Sequence, residues 1–293
     1  MLYTARDSLQ PEPDVVKIEN LVIYPVKGAQ GVEVDSAMMT NLGLDHDRRF
    51  MFVDKEGARV NQKRYPLLAQ VRVRFSEAGV VLDVEDMGQA EIDFNNDEGE
   101  IEKLSVNRRS DVIMGRRVIG DAEELVSNLL DVDLRLFDTV NGRPVKLEVM
   151  GTDVFRTSFT DGYPLLITNV ATHNVLSEFA GFEIDWKRYR PNVVVSGLPA
   201  FAEESLTEFR STEARILLPE RCVRCSVPSV HQISGAVDER VKDALIGIRR
   251  DHFGEDTKYK FHFGMNAVPV TLTGEPLDDS FEVKVGDKFE VAA

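Results

Sequence analysis

Glu220-Arg221-Cys222-Val223-Arg224-Cys225-Ser226-Val227-Pro228-Ser229-Val230 contains both cysteines of the chain. The run before it, Ala214 to Leu218, is mostly apolar and reads as a strand. Pro219 intervenes, and Ser226 to Val230 reads as a second strand, so the cysteine pair is expected on a strand-connecting loop. That setting differs from a thioredoxin-type pair, which sits at a helix N-terminus where the dipole lowers the thiol pKa. A lone C-x-x-C also suits half of a zinc site, a disulfide, or one thiolate ligand of a metal cofactor. A closed zinc site needs four ligands; His231 follows Cys225 by six residues and His252 and His262 are ten apart, so those ligands would have to come from unrelated segments. Arg221 and Arg224 flank the sulfurs, and positive neighbours favour the thiolate that binds metal or attacks. Two small residues packed in a loop is the plainest alternative.

Working outward, 293 residues suffice for one large or two ordinary domains, and 43% hydrophobic with 29% charged residues is a soluble globular composition. Two cysteines in that length argue against a disulfide-built secreted protein. No apolar run approaches a membrane span, and Met1 to Pro13 lacks a signal-peptide core, so a cytoplasmic enzyme or binding protein is expected. The formal charge of −15 opposes sequence-independent attraction to nucleic acid or an anionic membrane. Clustered basic residues are therefore informative. Lys27 lies in a Gly-bracketed loop, Arg48 and Arg49 follow Asp45-His46-Asp47, and Lys187, Arg188 and Arg190 precede Asn192. Each cluster falls at a strand end, where amides and long basic side chains can converge on an anion. Pairing with surface carboxylates is the ordinary alternative.

The rest of the chain reads as strands with few helices. Residues 1–15 form an expected flexible tail. Val16 to Tyr24 and Val32 to Met39 read as strands, Arg49 to Val53 and Ala58 to Asn61 as a hairpin, and Val71 to Phe75, Val80 to Val84 and Ala90 to Phe94 as short strands. Asp121 to Leu130 has one apolar helical face. After a connection over Asn141 to Thr160, Tyr163 to Ile167 reads as a strand and Ala171 to Phe179 as a helix with Asn169 as N-cap. Val193 to Ser196 is a strand ending at Gly197, Val237 to Ile246 an amphipathic helix, and Val268 to Leu272 and Phe281 to Val291 closing strands. The fold class is mainly β (α+β): two β-barrel-like domains with a few helices, divided at 16–140 and 141–293.

These motifs in order resemble the MOSC family, which includes the mitochondrial amidoxime-reducing component and the C-terminal domain of molybdenum cofactor sulfurase. The resemblance runs through Ile23-Tyr24-Pro25-Val26-Lys27-Gly28, Gly43-Leu44 and Asp47-Arg48-Arg49-Phe50-Met51 in the first half. It continues through Asp161-Gly162-Tyr163-Pro164-Leu165-Leu166, Arg190-Pro191-Asn192-Val193-Val194-Val195-Ser196-Gly197, Cys222-Val223-Arg224-Cys225, Phe263-Gly264-Met265-Asn266 and Val285-Gly286-Asp287. It implies a molybdenum–molybdopterin cofactor with Cys225 as the catalytic thiolate and metal ligand, a soft donor suited to that metal. It implies Lys27, Gly28, Arg48, Arg190, Asn192, Arg224 and Asn266 as cofactor-binding residues, with Lys27 and Arg48 near the terminal phosphate. Pyridoxal phosphate enters by family association alone.

The implied activity is reduction of N-hydroxylated compounds, amidoximes and hydroxylamines, by oxygen-atom transfer. Two features depart from the family. Pro228-Ser229-Val230-His231 replaces a hydroxyl-rich pattern ending in Val-Asp, and His231 is a candidate proton donor if its strand returns past the metal. No Cys-rich extension capable of holding an iron–sulfur cluster follows, so a separate electron-donor protein is expected. The competing reading is a cofactor or sulfur carrier with a persulfide on Cys225 or Cys222. An inert domain is disfavoured by the presence of Lys27, Arg48, Arg190 and Cys225.

Overall fold

Strand Val15–Ile23 alternates buried and less buried residues over its first half, then turns wholly inward at Leu21, Val22 and Ile23. It pairs antiparallel with three partners, and this is what closes the main sheet. In the computed structural model, which describes residues 15–106, 112–144, 155–254 and 262–292, the sheet runs Val193–Ser196, Leu165–Asn169, His262–Val270, Arg215–Val223, Glu208–Arg210, Lys288–Ala292, Val15–Ile23, and returns to Val193–Ser196. Val32–Val34 adds an eighth strand against Val15–Ile23. A closed barrel leaves no edge among its own strands. Its interior is filled by apolar side chains from both halves of the chain, among them Ile18, Leu21, Ile167, Val195, Ile216, Met265 and Phe289.

The remaining strands include a four-stranded sheet (Phe50–Asp54, Leu134–Thr139, Val112–Val118, Ile101–Ser105) and a three-stranded one (Arg72–Phe75, Gly79–Val84, Gly88–Asp93), beside a second three-stranded sheet (Phe281–Lys284, Ser36–Thr40, Gly43–Leu44) and the pair Arg143–Pro144 with Arg156–Thr157. Helix α1 (Asp121–Leu130) closes the core between the first two, burying Ala122, Leu125, Val126 and Leu130 with Phe50, Phe52, Leu82 and Leu136. Helix α2 (Val170–Ala180) connects Leu165–Asn169 to Val193–Ser196, the one parallel pair in the barrel, as a parallel pair requires a crossover. Helix α3 (Glu239–Phe253) packs beside it around Leu176, Val241, Leu245 and Phe263. The mainly β reading therefore holds, and no helix among the described residues is long and apolar enough to cross a membrane.

Four expectations change. Pro219 does not end its strand: Arg215–Val223 continues through it, because the register shifts between Leu217 and Glu220. A bulge spares proline the ladder bond it cannot donate. Cys222 is thus on the strand, and Cys225 alone lies in the loop beyond it. Ser226–Val230 is not a strand; Val227–Ser229 is a 3-10 turn, in keeping with the fixed φ of Pro228 near its start. Val32 to Met39 breaks into Val32–Val34 and Ser36–Thr40, the second pairing with Phe281–Lys284. The expected tail lies, up to residue 14, outside the described residues, as does 145–154 of the expected connection.

Candidate functional site

Of the cationic clusters singled out in the sequence, Lys27, Arg48 and Arg190 are delivered to one place by backbone geometry, whereas Arg49 pairs with Asp138, Lys187 with Glu33, and Arg188 donates to Ser229 O. Val26 bridges Phe50 in parallel, and the Lys27 amide donates to Phe50 O at 2.8 Å. The Arg48 amide donates to Tyr24 O at 2.7 Å. Arg190 caps the 3-10 turn Trp186–Tyr189. Arg48 and Arg190 both take left-handed backbone, with φ of 46° and 54°, a conformation that costs a non-glycine residue about 1–2 kcal/mol. Their side-chain bonds offset that cost. Gly28 has φ 92°, and a Cβ there would come 2.9 Å from Leu68 Cδ1, so glycine is required at this turn.

The result is a cleft of about 890 Å³ of empty space, including its open mouth, at the junction of the barrel and the N-terminal sheets. Lys27, Gly28, Arg48, Arg190, Asn192, Arg224, Cys225 and Asn266 all line it, as does Cys222. Lys27 Nζ donates to Phe159 O at 2.7 Å and to Asp161 Oδ1 at 2.6 Å. Burial holds its ammonium below the usual lysine range, against the pull of Asp161. Arg48 grips both oxygens of Asp47, at 2.7 and 2.6 Å, and reaches Arg190 O at 3.1 Å. Arg190 donates to Ala29 O at 2.7 Å and Gln232 Oε1 at 3.0 Å. Both guanidinium carbons lie 4.2 Å from the centroid of the Tyr24 ring, a cation–π arrangement strengthened by desolvation. Burial pushes the Tyr24 phenol up to about 12, so that it stays neutral.

The sulfurs differ from one another. Cys225 is exposed and accepts a bond from Val227 N at 3.5 Å, whereas Cys222 is half-buried and receives Arg224 Nη1 at 3.1 Å. Both are free thiols. Arg224 also donates to Tyr189 O at 2.7 Å. Arg221 does not flank the sulfurs as expected: it turns away to an ion pair with Glu204 at 2.8 Å. Asn192 is 1% exposed, and its amide ties the barrel together by donating to Val22 O and accepting from Leu166 N, each at 3.2 Å. Asn266 donates to Glu220 Oε1 at 3.1 Å. His231 is not in the lining; its Nδ1 accepts from Ser234 N at 3.2 Å, because the segment carrying it turns back on itself through the Val230–Val237 bridge rather than returning as a strand.

Three contributors escaped sequence reasoning. Gln62 and Gln232 bond each other at 3.0 and 2.9 Å, Gln62 also donates to Gly28 O at 2.7 Å, and Gln232 holds Arg190. Neither belongs to a charge cluster or an apolar period, so no local signal marks them. Asp161 was legible as part of a motif but not as the partner of Lys27. Among the described residues no group of three or more His, Cys, Asp or Glu converges as a metal site. An exposed thiol that shares its cleft with four cations suits instead a metal whose other ligands arrive with an anionic organic group.

The model of the MOSC N-terminal beta barrel domain matches residues 15–133, and that of the MOSC domain residues 155–290. Among similar proteins, human mitochondrial amidoxime reducing component 2 is 26% identical over 277 residues, covering 89% of this chain and 82% of the relative. Mitochondrial amidoxime-reducing component 1 of Xenopus laevis is 22% identical over 289 residues, covering 89% and 81%. Molybdenum cofactor sulfurase of Oryza sativa subsp. japonica is 25% identical over 258 residues, and the match spans 79% of this chain but 30% of the sulfurase. Among solved structures, the YUAD protein of Bacillus subtilis aligns over 94% of this chain and 95% of its own, with 13% identity and a TM-score of 0.39.

Proposed function

This chain belongs to the MOSC family, and from that membership we propose that it is a molybdenum-cofactor-binding oxidoreductase that reduces N-hydroxylated compounds with electrons from a separate donor protein. The observation that carries the proposal is the convergence, in one cleft, of the exposed Cys225 thiol with Lys27, Arg48, Arg190 and Arg224. The donor set fits the group: a thiolate for a soft metal, and cationic side chains for a phosphate-bearing pterin. When bound, that cofactor supplies two-electron reduction of an N–O bond.

The chain's own residues do the rest. Cys225 presents its sulfur as the metal ligand. Lys27 and Arg48 hold the phosphate end, and Arg190 braces the Arg48 side of the cleft through its carbonyl and the shared Tyr24 ring. Asn192 positions the strands beneath, and Arg224, fixed to Tyr189 O, orients the cysteine loop. Tyr163, Leu165 and Val223 supply the apolar wall against which a substrate can shed water. The two cysteines of the sequence both line this cleft.

A sulfur-carrier reading has one observation in its favour: Arg224 donates to Cys222 Sγ at 3.1 Å, which orients that sulfur within the cleft. Molybdenum and pterin content of protein from a cofactor-competent host separates the two. The reductase reading expects about one molybdenum per chain in the wild type, loss in Cys225→Ser, retention in Cys222→Ser, and amidoxime reduction with a viologen donor. Metal-free protein carrying a persulfide on Cys222 would replace it with the carrier reading.

A further inference from the structure

Among the described residues lining the cleft, Asp161 is the sole carboxylate, against the cations Lys27, Arg48, Arg190 and Arg224. Its carboxylate lies 2.6 Å from Lys27 Nζ, with the Lys27 side chain 9% and the Asp161 side chain 75% exposed. The buried ammonium is thus covered by an acid that itself faces solvent. The backbone on either side is clasped: Arg143 Nη2, from a residue 4% exposed, donates to Thr160 O and to Gly162 O, each at 3.2 Å. With the loop held at both flanks, moving the carboxylate off Lys27 requires a side-chain rotation and no backbone rearrangement. Arg48 is engaged by Asp47, which is fully buried, so Lys27 is the cation whose counter-ion a ligand can replace.

We propose that Asp161 sets the charge of the ligand this cleft accepts, admitting dianionic phosphate esters and refusing monoanions of the same shape; the inference rests on the preceding reading in taking this cleft as the ligand site. A monoanion that displaces Asp161 exchanges one negative charge on Lys27 for another, and gains nothing electrostatically for the loss of an ion pair already formed. A dianion keeps a surplus charge for the other cations of the wall. Discrimination then comes from a built-in competitor rather than from an added attraction.

The test uses full-length protein from a host that makes no pterin cofactor, titrated by calorimetry at pH 8 with phenyl phosphate, whose second pKa near ~6 leaves it dianionic, and with benzenesulfonate, a monoanion of similar outline. Wild type is expected to prefer the phosphate by about tenfold or more. In Asp161→Asn the sulfonate gains about tenfold and the preference narrows by that factor, Asp161→Ser repeats the effect without the amide, and Lys27→Met weakens the phosphate. An unchanged preference in both Asp161 variants, equal weakening of both anions, phosphate binding that survives Lys27→Met, or no phosphate binding to wild type would each overturn the inference. Molybdenum content, read separately on protein from a competent host, tests the cofactor reading. A shifted preference without molybdenum leaves Asp161 in its role and removes the reductase; molybdenum with an unshifted preference does the reverse.

Discussion

Arg190 and His173 show how burial sorts charges around the cleft. Burial pushes the Arg190 guanidinium down to about 10, which still leaves it cationic at neutral pH. Burial and the nearby charge of Arg224 push His173 down to about 3, so it is neutral in the fold, its Nε2 bonded to Thr168 Oγ1 at 2.9 Å. In the unfolded chain it takes a proton near 6.5. The folded pKa is the lower one, so the unfolded state binds the proton first as pH falls. Stability is whole above about 6.5 and declines toward 3, at up to ~1.4 kcal/mol per pH unit. Urea unfolding from pH 7 to pH 4.5 should show His173→Phe losing less stability over that range than wild type; parallel losses would mean that the imidazole is not kept neutral by the fold.

At the scale of elements, the strand carrying Cys222 is tied from behind by a buried ion network. Arg249 on α3 grips Glu204 with both terminal nitrogens, and Arg221, the neighbour of Cys222, pairs with the same carboxylate. Arg249 is 1% exposed, and removing one partner of a buried pair costs about 3–5 kcal/mol. Arg249→Met should lower the unfolding free energy by roughly 3 kcal/mol or more, with Arg221 left to share Glu204 alone; a loss below ~1 kcal/mol, the range of an exposed pair, would contradict the burial. Helix α2 begins at Asn169, whose Oδ1 accepts from Ala171 N at 3.1 Å while Nδ2 donates to Pro199 O at 2.8 Å and Glu203 Oε2 at 3.0 Å. The cap alone is worth ~1 kcal/mol and the buried partners add to it, so Asn169→Ala should cost about 2 kcal/mol in the same measurement.

Elements with strong local signals were legible. Asp121–Leu130 and Val193–Ser196 match their expected bounds, because helical periodicity and a β-branched run are local properties. Ile101–Ser105, Val112–Val118 and Leu134–Thr139 were missed. They carry charged residues such as Glu102, Lys103, Arg116, Arg117 and Arg135, and become strands by pairing with one another and with Phe50–Asp54. Tertiary pairing overrides propensity there.

Across the whole molecule, the barrel takes Val15–Ile23 from the start of the chain and seats it between Lys288–Ala292 near the end and Val193–Ser196. Without it the barrel opens and exposes two edges and the apolar interior around Ile167, Val195 and Phe289. A chain lacking residues 1–24 is expected to lose cooperative unfolding and to aggregate; near-ultraviolet circular dichroism and thermal melts against the full chain check this. A truncated chain that still melted cooperatively at the wild-type temperature would show that the strand is dispensable. The same interleaving explains how a chain of net charge −15 maintains a cationic cleft. Lys27 and Arg48 come from one half and Arg190 and Arg224 from the other, while most carboxylates stay outside.

By itself, then, the order of residues determined the mainly β character, several strands and helices, and which side chains to watch: Lys27, Arg48, Arg190, Arg224 and Cys225 each stand in a recognisable local motif. It could not determine that Arg221 turns to Glu204, that Arg224 chooses Cys222, that Asp161 covers Lys27, or that Gln62 and Gln232 brace Arg190. Those contacts join residues from two apart, for Arg224 and Cys222, to 170 apart, for Gln62 and Gln232. Most of them exist because closing the barrel brings distant strand ends to one junction, where desolvation makes each polar group find a partner.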